Sequence, residues 1–158
     1  MVYCVNYLGV HLSVYVENGI ILKISFSQDC KGIKENGFQS DFEGFVLENR
    51  KVLNFTFGNI DDRVRKVYLK TMDIPLGFVS SYGDISREAF GNKKYSRFVG
   101  YAMSVNKLPI IVPCHRVVRS DGSIGGFSSP IGIKLKLLEI EKVKIINGKI
   151  GKAFFTHF

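Results

Sequence analysis

The chain has 158 residues, 46% of them hydrophobic and 23% charged, and carries a formal net charge of +8 at neutral pH. That length holds one ordinary domain or two small ones, and that composition excludes a disordered chain. Apolar stretches break off well short of membrane-spanning length, so no transmembrane helix is expected, and the first residues lack the basic leader and cleavage site of a signal peptide.

The charge is uneven. Residues 1–60 hold 5 basic and 6 acidic side chains, a balance of −1, whereas residues 61–158 hold 17 and 8, a balance of +9. A second half this basic is expected to meet a polyanion, most simply nucleic acid. Cys4, Cys30 and Cys114 form no even, closely spaced framework. Reduced thiols in a cytosolic compartment are therefore expected rather than disulfides.

In chain order, Tyr3–Leu8, Leu12–Val16 and Ile20–Phe26 read as strands, with Asn18-Gly19 as a hairpin turn that tolerates positive φ. Residues 27–41 are polar and glycine-containing and read as a loop or short irregular helix, followed by a strand-like run over Val52–Phe57. Asp61-Asp62 suits the start of a helix, and Val64, Val67, Tyr68 and Met72 carry helical spacing. Pro75 and Gly77 end it, and Phe78–Gly83 reads as an extended link. A helix is predicted over 85–90, capped near Asp84 or Ser86. Gly91-Asn92 turns the chain, and Ser96 caps a second helix ending before Asn106. Two short helices about a glycine turn suggest a helix-turn-helix. A final helix is predicted over 131–142, followed by a tail whose Asn147-Gly148 favours a small hairpin. The fold class expected is α/β (α+β), with a strand-rich domain over 1–60 and a mainly helical domain over 61–158.

Residues 109–118, Pro-Ile-Ile-Val-Pro-Cys-His-Arg-Val-Val, concentrate the chemistry. A thiol is a strong nucleophile only as thiolate, and an adjacent imidazole is a common way to generate one. Pro113 holds Val112 extended and suits a bend that presents Cys114.

From about residue 64 to residue 142 the sequence closely resembles the O6-alkylguanine-DNA alkyltransferases. The resemblance rests on Ile74–Gly83, Ser96–Met103, Asn106–Val118, Gly122–Ser128 and Lys134–Glu141, in that order. It implies direct, one-shot transfer of an alkyl group from guanine O6 to Cys114, with His115 activating the thiol through a water and Glu141 orienting the histidine. Tyr82 corresponds to the phenol that serves guanine N3, and Arg97 to the arginine finger that fills the gap left by a flipped base. Ser96, Asn106, Gly100 and Arg116 are the further DNA-side positions, with Asn106 tying the recognition helix to the active-site turn. Met103, Pro109, Val117, Ser128 and Lys134 are the pocket positions. Lys107, the bulky Phe98 and Tyr101, and Ser129-Pro130 depart from the family pattern.

The partner implied is double-stranded DNA containing O6-alkylguanine, met by a cytoplasmic monomer that needs no cofactor and no membrane. Cys4, Cys30 and His11 lack the spacing of a zinc site, so no metal is expected. Two competing classes remain. A cysteine hydrolase would need an acyl site that nothing here specifies, and a lesion-sensing DNA-binding protein of the same resemblance would lack Cys114.

Overall fold

The computed structural model describes residues 1–48, 51–126, 131–156 and 158, which form two compact units. The first comprises Met1–Asn59 with Lys107–Ile111, and the second Ile60–Asn106 with Val112–Phe158.

The first unit is an antiparallel meander of β1 (Val2–Tyr7), β2 (Val10–Glu17) and β3 (Ile20–Phe26). Asn18 and Gly19 take φ of 49° and 76°, the paired positive values of the tight hairpin that Asn-Gly favours. Val5, Tyr7, Leu12, Val14, Ile21 and Ile24 are buried. Against them lies α1 (Asn36–Glu48), whose Phe42 meets Tyr7 edge-on at 6.5 Å and whose Phe38 stacks on Tyr3 at 4.2 Å. This helix begins within residues 27–41, which the sequence presents as a loop or short irregular helix, and runs on to Glu48. Its phenylalanines at 38, 42 and 45 keep helical spacing, but Gly37 and Gly44 mask the propensity. Val52–Phe57 is not a strand. It makes one isolated parallel bridge, Ile21 to Phe55, and Val52 is 90% exposed.

The expectation of three reduced thiols also fails, because Cys4 and Cys30 form a disulfide and only Cys114 is free. Sequence spacing hides the pair, since it joins a strand to a loop 26 residues later. The two sulfurs meet because Ile33 bridges back to β1, with the Cys4 and Ile33 amides each donating across at 2.8 Å. Gly32 is needed there, as a Cβ would lie 2.3 Å from the Val2 carbonyl oxygen.

The second unit opens with α2 (Asp62–Met72), whose N-terminal amide at Arg63 is capped by Asp61 at 2.7 Å. Next come β4 (Ser80–Ser81), α3 (Tyr82–Phe90), a 3₁₀ turn over Lys93–Tyr95, and α4 (Ser96–Ser104). Helix α3 starts three residues earlier than the sequence suggests, because Ser81 rather than Asp84 or Ser86 is its cap, with Ser81 Oγ accepting from the Asp84 amide at 3.0 Å. Gly91 ends it at φ 77°. Ser96 is not a cap either; it is the first helical residue, and its hydroxyl donates to the Lys93 carbonyl at 2.6 Å. The pair α3–α4 forms a helix-turn-helix packed on α2, where Tyr68 donates to the Ala102 carbonyl at 3.1 Å.

A 3₁₀ turn at Cys114–Arg116 leads into β5 (Val117–Val118), which pairs in parallel with β4, Ser80 opposite Val117. Helix α5 (Ile131–Ile140) follows, then the hairpin of β6 (Ile145–Ile146) and β7 (Lys149–Ile150), and a last 3₁₀ turn over Lys152–Phe154 leads to a parallel bridge between Phe155 and Val79. Val79, Val118, Ile124, Leu138, Val143 and Ile150 make one buried cluster around them.

The disulfide closes a loop of 26 residues in the first unit, and a cross-link of that span stabilises by about 3 kcal/mol. Reduction with a trialkylphosphine, or Cys4→Ala with Cys30→Ala, is expected to lower the unfolding midpoint of this unit in denaturant. Equal midpoints for oxidised and reduced protein would remove the staple.

Candidate functional site

The β4–β5 pairing decides where the site lies. Ser80 lies opposite Val117 and Ser81 opposite Val118, so the parallel register sets Tyr82, just after β4, beside Arg119, just after β5, while Cys114, His115 and Arg116 lead into the other end of the pair. Cys114 remains near enough for its charge to act on the Tyr82 phenol.

Cys114 and His115 are both buried. His115 Nε2 lies 2.7 Å from Glu141 Oε1. A carboxylate only accepts, so Nε2 carries the proton and Nδ1 keeps a lone pair. Nδ1 is buried and has no hydrogen-bond partner among the described residues. Burial depresses the imidazole pKa despite the opposing pull of Glu141, so the ring rests neutral.

Glu141 sits in the turn just after α5 rather than on the helix, fixed by its amide to Leu137 at 3.0 Å and by Lys142 at φ 62°. Burial pushes its carboxyl up, but the hydrogen bonds and charge of His115 and Arg116 outweigh this and hold the pKa at about 2. With the imidazole neutral, the permanent charge is that of Arg116. Its Nε donates to Oε2 and a terminal nitrogen to Oε1, both at 2.9 Å, while the other terminal nitrogen donates to the Ile74 carbonyl at 2.8 Å. The Gly77 amide adds a long bond to Oε2 at 3.4 Å.

This corrects the placement of Arg116 on the DNA side. It is buried, and its guanidinium is committed inside the unit to Glu141 and a backbone carbonyl. The planar fork of arginine suits a bidentate carboxylate, which is the local reason it turns inward.

Burial pushes the Cys114 thiol up, so the resting group is a thiol. Opposing that, the Asn106 side chain hydrogen-bonds the sulfur, the Lys134 ammonium attracts it, and backbone N–H bonds at 114 and 115 favour the thiolate. Asn106 also donates to the Val112 carbonyl at 3.0 Å, so one amide fixes the turn from the end of α4. Lys134 is fully buried, donating to the Val117 carbonyl at 2.7 Å and to Gly126 at 3.3 Å, and burial lowers its pKa to about 8.

Beside this network opens a cavity of about 820 Å³. Five of the sequence-identified residues line it: Tyr82, Ser96, Arg97, Gly100 and Met103. Tyr82 donates to the Gly126 carbonyl at 3.0 Å, and its pKa is raised by burial and by the nearby Cys114 charge, with Arg119 opposing. It is therefore a protonated donor at neutral pH. Gly125, at φ 76°, is obligatory against it, since a Cβ would come within 3.0 Å of the Tyr82 ring.

Lys93 and Arg119 also line the cavity, and the sequence patterns gave neither a role. Arg119 was legible as a cation two residues beyond Val117, but only the β4–β5 register shows that it faces Tyr82. Val117 enters through its carbonyl and Lys134 through its ammonium, neither lining the cavity; Pro109 is buried in the Lys107–Ile111 segment of the first unit. Ser128 lies outside the described residues, as do Ser129 and Pro130. No group of three or more His, Cys, Asp or Glu able to hold a metal occurs among the described residues, and none of their helices is long and apolar enough to cross a membrane.

The methylated-DNA–protein-cysteine methyltransferase of Methanothermobacter thermautotrophicus is 34% identical over 110 residues, 70% of this chain and 56% of that protein. The protein of the same name from Pyrobaculum aerophilum is 43% identical over 83 residues, 52% of this chain and 53% of the relative. The chain thus spans about half the length of the curated relatives it matches. Among solved structures, the O6-methylguanine-DNA methyltransferase of Pyrococcus kodakaraensis superposes with a TM-score of 0.72 at 29% identity, covering 90% of this chain and 100% of that one. S. pombe Atl1, in complex with damaged DNA containing O6-carboxymethylguanine, gives 0.54 at 33% identity over 63% of this chain and 98% of that one. Residues 62–143, more than half of the chain, match the family model described as 6-O-methylguanine DNA methyltransferase, DNA binding domain, and the protein belongs to that family.

Proposed function

We propose that this protein repairs DNA by moving the alkyl group of O6-alkylguanine in duplex DNA onto Cys114, once per molecule. The observation that carries the reading is the buried His115 ring, one nitrogen held on Glu141 and the other unpartnered among the described residues, next in the chain to the buried Cys114.

The neutral imidazole takes the thiol proton through Nδ1, directly or by way of a water, and the imidazolium so formed is stabilised by Glu141. The thiolate attacks the alkyl carbon. A C–S bond forms, the C–O6 bond breaks, and its electron pair passes to the guanine, where the Tyr82 hydroxyl donates a proton at a ring nitrogen. Lys134 and the Asn106 amide stabilise the sulfur while it is charged. The target atom is hidden in a duplex, so the nucleotide must leave the stack; the cavity lined by Tyr82 and Gly100 receives it, and the exposed Arg97 fills the gap. Cys4 and Cys30 are bonded to each other and Cys114 is the free cysteine, so no thiol resolves the thioether. The protein acts as a monomer in the cytoplasm, where the Cys4–Cys30 bond must resist a reducing pool, as disulfides of intracellular hyperthermophile proteins do.

The similarity to Atl1 favours one rival, a DNA-binding protein that senses the lesion without taking the alkyl group. Intact mass after incubation with DNA holding O6-methylguanine separates the two. One methyl per protein, on Cys114, is expected, and none in Cys114→Ser, which keeps its DNA affinity. Turnover of many lesions per molecule, or no adduct at all, would overturn the repair reading.

Arg97→Ala is expected to slow transfer from duplex DNA at least tenfold more than transfer from free O6-benzylguanine, which needs no extrusion. Arg97→Lys recovers only part of the loss, because an ammonium keeps the charge but cannot stack as a plane. Equal losses on both substrates would place Arg97 in folding instead.

Glu141 predicts the acid limb of stability. Its folded pKa of about 2 lies below the ordinary 4.5, so its contribution is present above about pH 4.5 and lost as pH falls toward 2. That difference corresponds to about 3 kcal/mol. Glu141→Gln should flatten the fall of unfolding free energy over this range, measured by urea denaturation at successive pH values. The same acid limb in the variant would show that other carboxylates set it.

A further inference from the structure

Helix α4 carries a feature that the alkyl-transfer chemistry does not use. Tyr101 is 57% exposed, although a tyrosine of that size is ordinarily covered on at least one face. It stands four residues after Arg97, so the two side chains share one face of the helix. Gly100 and Ser104 flank Tyr101 on the cavity side.

The ring has a built support. Phe98 packs behind it, ring centres 5.9 Å apart, and Phe98 is itself held by Phe90 at 6.0 Å and by the Arg63 guanidinium at 5.1 Å over its face. A bracing of this kind limits the freedom that the exposed ring would lose on binding, and leaves its outer face open. Exposed cations share the unit: Arg97 on the same helix face, Lys94 just before the helix, and Arg63 and Lys93, which also pair with Asp61 and Asp84. An exposed, braced aromatic beside an exposed arginine on a basic unit is the chemistry that binds a polyanion bearing flat faces.

We propose that Tyr101 is a second DNA-contacting residue, stacking on a base or sugar of the strand while Arg97 occupies the gap left by the flipped nucleotide. The assignment rests on the DNA-repair reading above and adds to it a sequence-tolerant stacking contact. Because every base has a π-face, such a contact strengthens binding at any site without choosing the sequence. It also favours steps already unstacked, so Tyr101 raises affinity for a lesion in a mismatched or single-stranded context more than in a fully stacked duplex.

The test uses the full chain in a Cys114→Ser background, so that no adduct forms, with fluorescence anisotropy on a labelled duplex carrying one O6-methylguanine and on its single strand. Tyr101→Phe should bind both within about twofold of the parent. Tyr101→Leu, which keeps an apolar contact to Phe98, and Tyr101→Ala should each bind about five- to hundred-fold more weakly, the range of one lost base stack. The larger loss should be on the single strand, and the dependence of affinity on salt should keep its slope, since no phosphate contact is removed. Thermal melting of each variant confirms that it is folded. Leucine binding as well as phenylalanine, or alanine binding as tightly as tyrosine, would overturn the proposal, as would a reduced salt slope. With Cys114 restored, all three Tyr101 variants should react with free O6-benzylguanine at the parental rate. A parent protein that fails to react there would sink the alkyl-transfer reading instead, while the anisotropy still judges Tyr101.

Discussion

A carboxylate sealed from water needs a donor at each lone pair and a positive charge close by, or it takes up a proton and stops being a carboxylate. Glu141 meets that condition through four donors: His115, two nitrogens of Arg116, and the Gly77 amide. These donors come from two separate stretches of chain, so the one side chain fixes the end of α5, the cysteine turn and the link before β4 together. The proposed chemistry depends on the same contacts. Glu141 takes the proton-bearing nitrogen of His115 and so decides which nitrogen is left as the base.

The site separates buried charge from exposed charge. Arg116, Lys134 and Glu141 are enclosed and direct their bonds inward, at the ordinary cost of burying ions. Lys134 shows that cost in its lowered pKa, and two backbone carbonyls and the field of Cys114 are what it gains. Arg97, Lys93 and Arg119 line the cavity and are open to solvent. A resting thiol protected by burial, with cations held ready around it, suits the single transfer proposed for Cys114. A standing thiolate would be open to oxidation before it met its substrate.

The helix pair shows a further division. Val99, Ala102 and Met103 of α4 face inward, while Arg97, Tyr101 and Ser104 face out. Phe90, Tyr95, Phe98 and Tyr101 form a run of ring contacts along the outer flank, the bracing on which the proposed stacking contact of Tyr101 rests.

Several elements were legible from local sequence because local physics alone sets them. The three strands and the Asn18-Gly19 turn follow from alternation and a left-handed pair, and α2 follows from its spacing and its Asp61 cap. Family motifs in fixed order pointed to Cys114, His115 and Glu141. Other features needed distant contacts. Helix α1 is hidden by Gly37 and Gly44 and takes its apolar face from the sheet. The Cys4–Cys30 bond depends on a bridge between Tyr3 and Ile33. Arg116 reads as a DNA contact in a basic chain and proves to be an internal partner of Glu141, because what an arginine does is set by the nearest carboxylate in space. Composition and periodicity record what each residue prefers, whereas burial and register decide which of several available partners it meets.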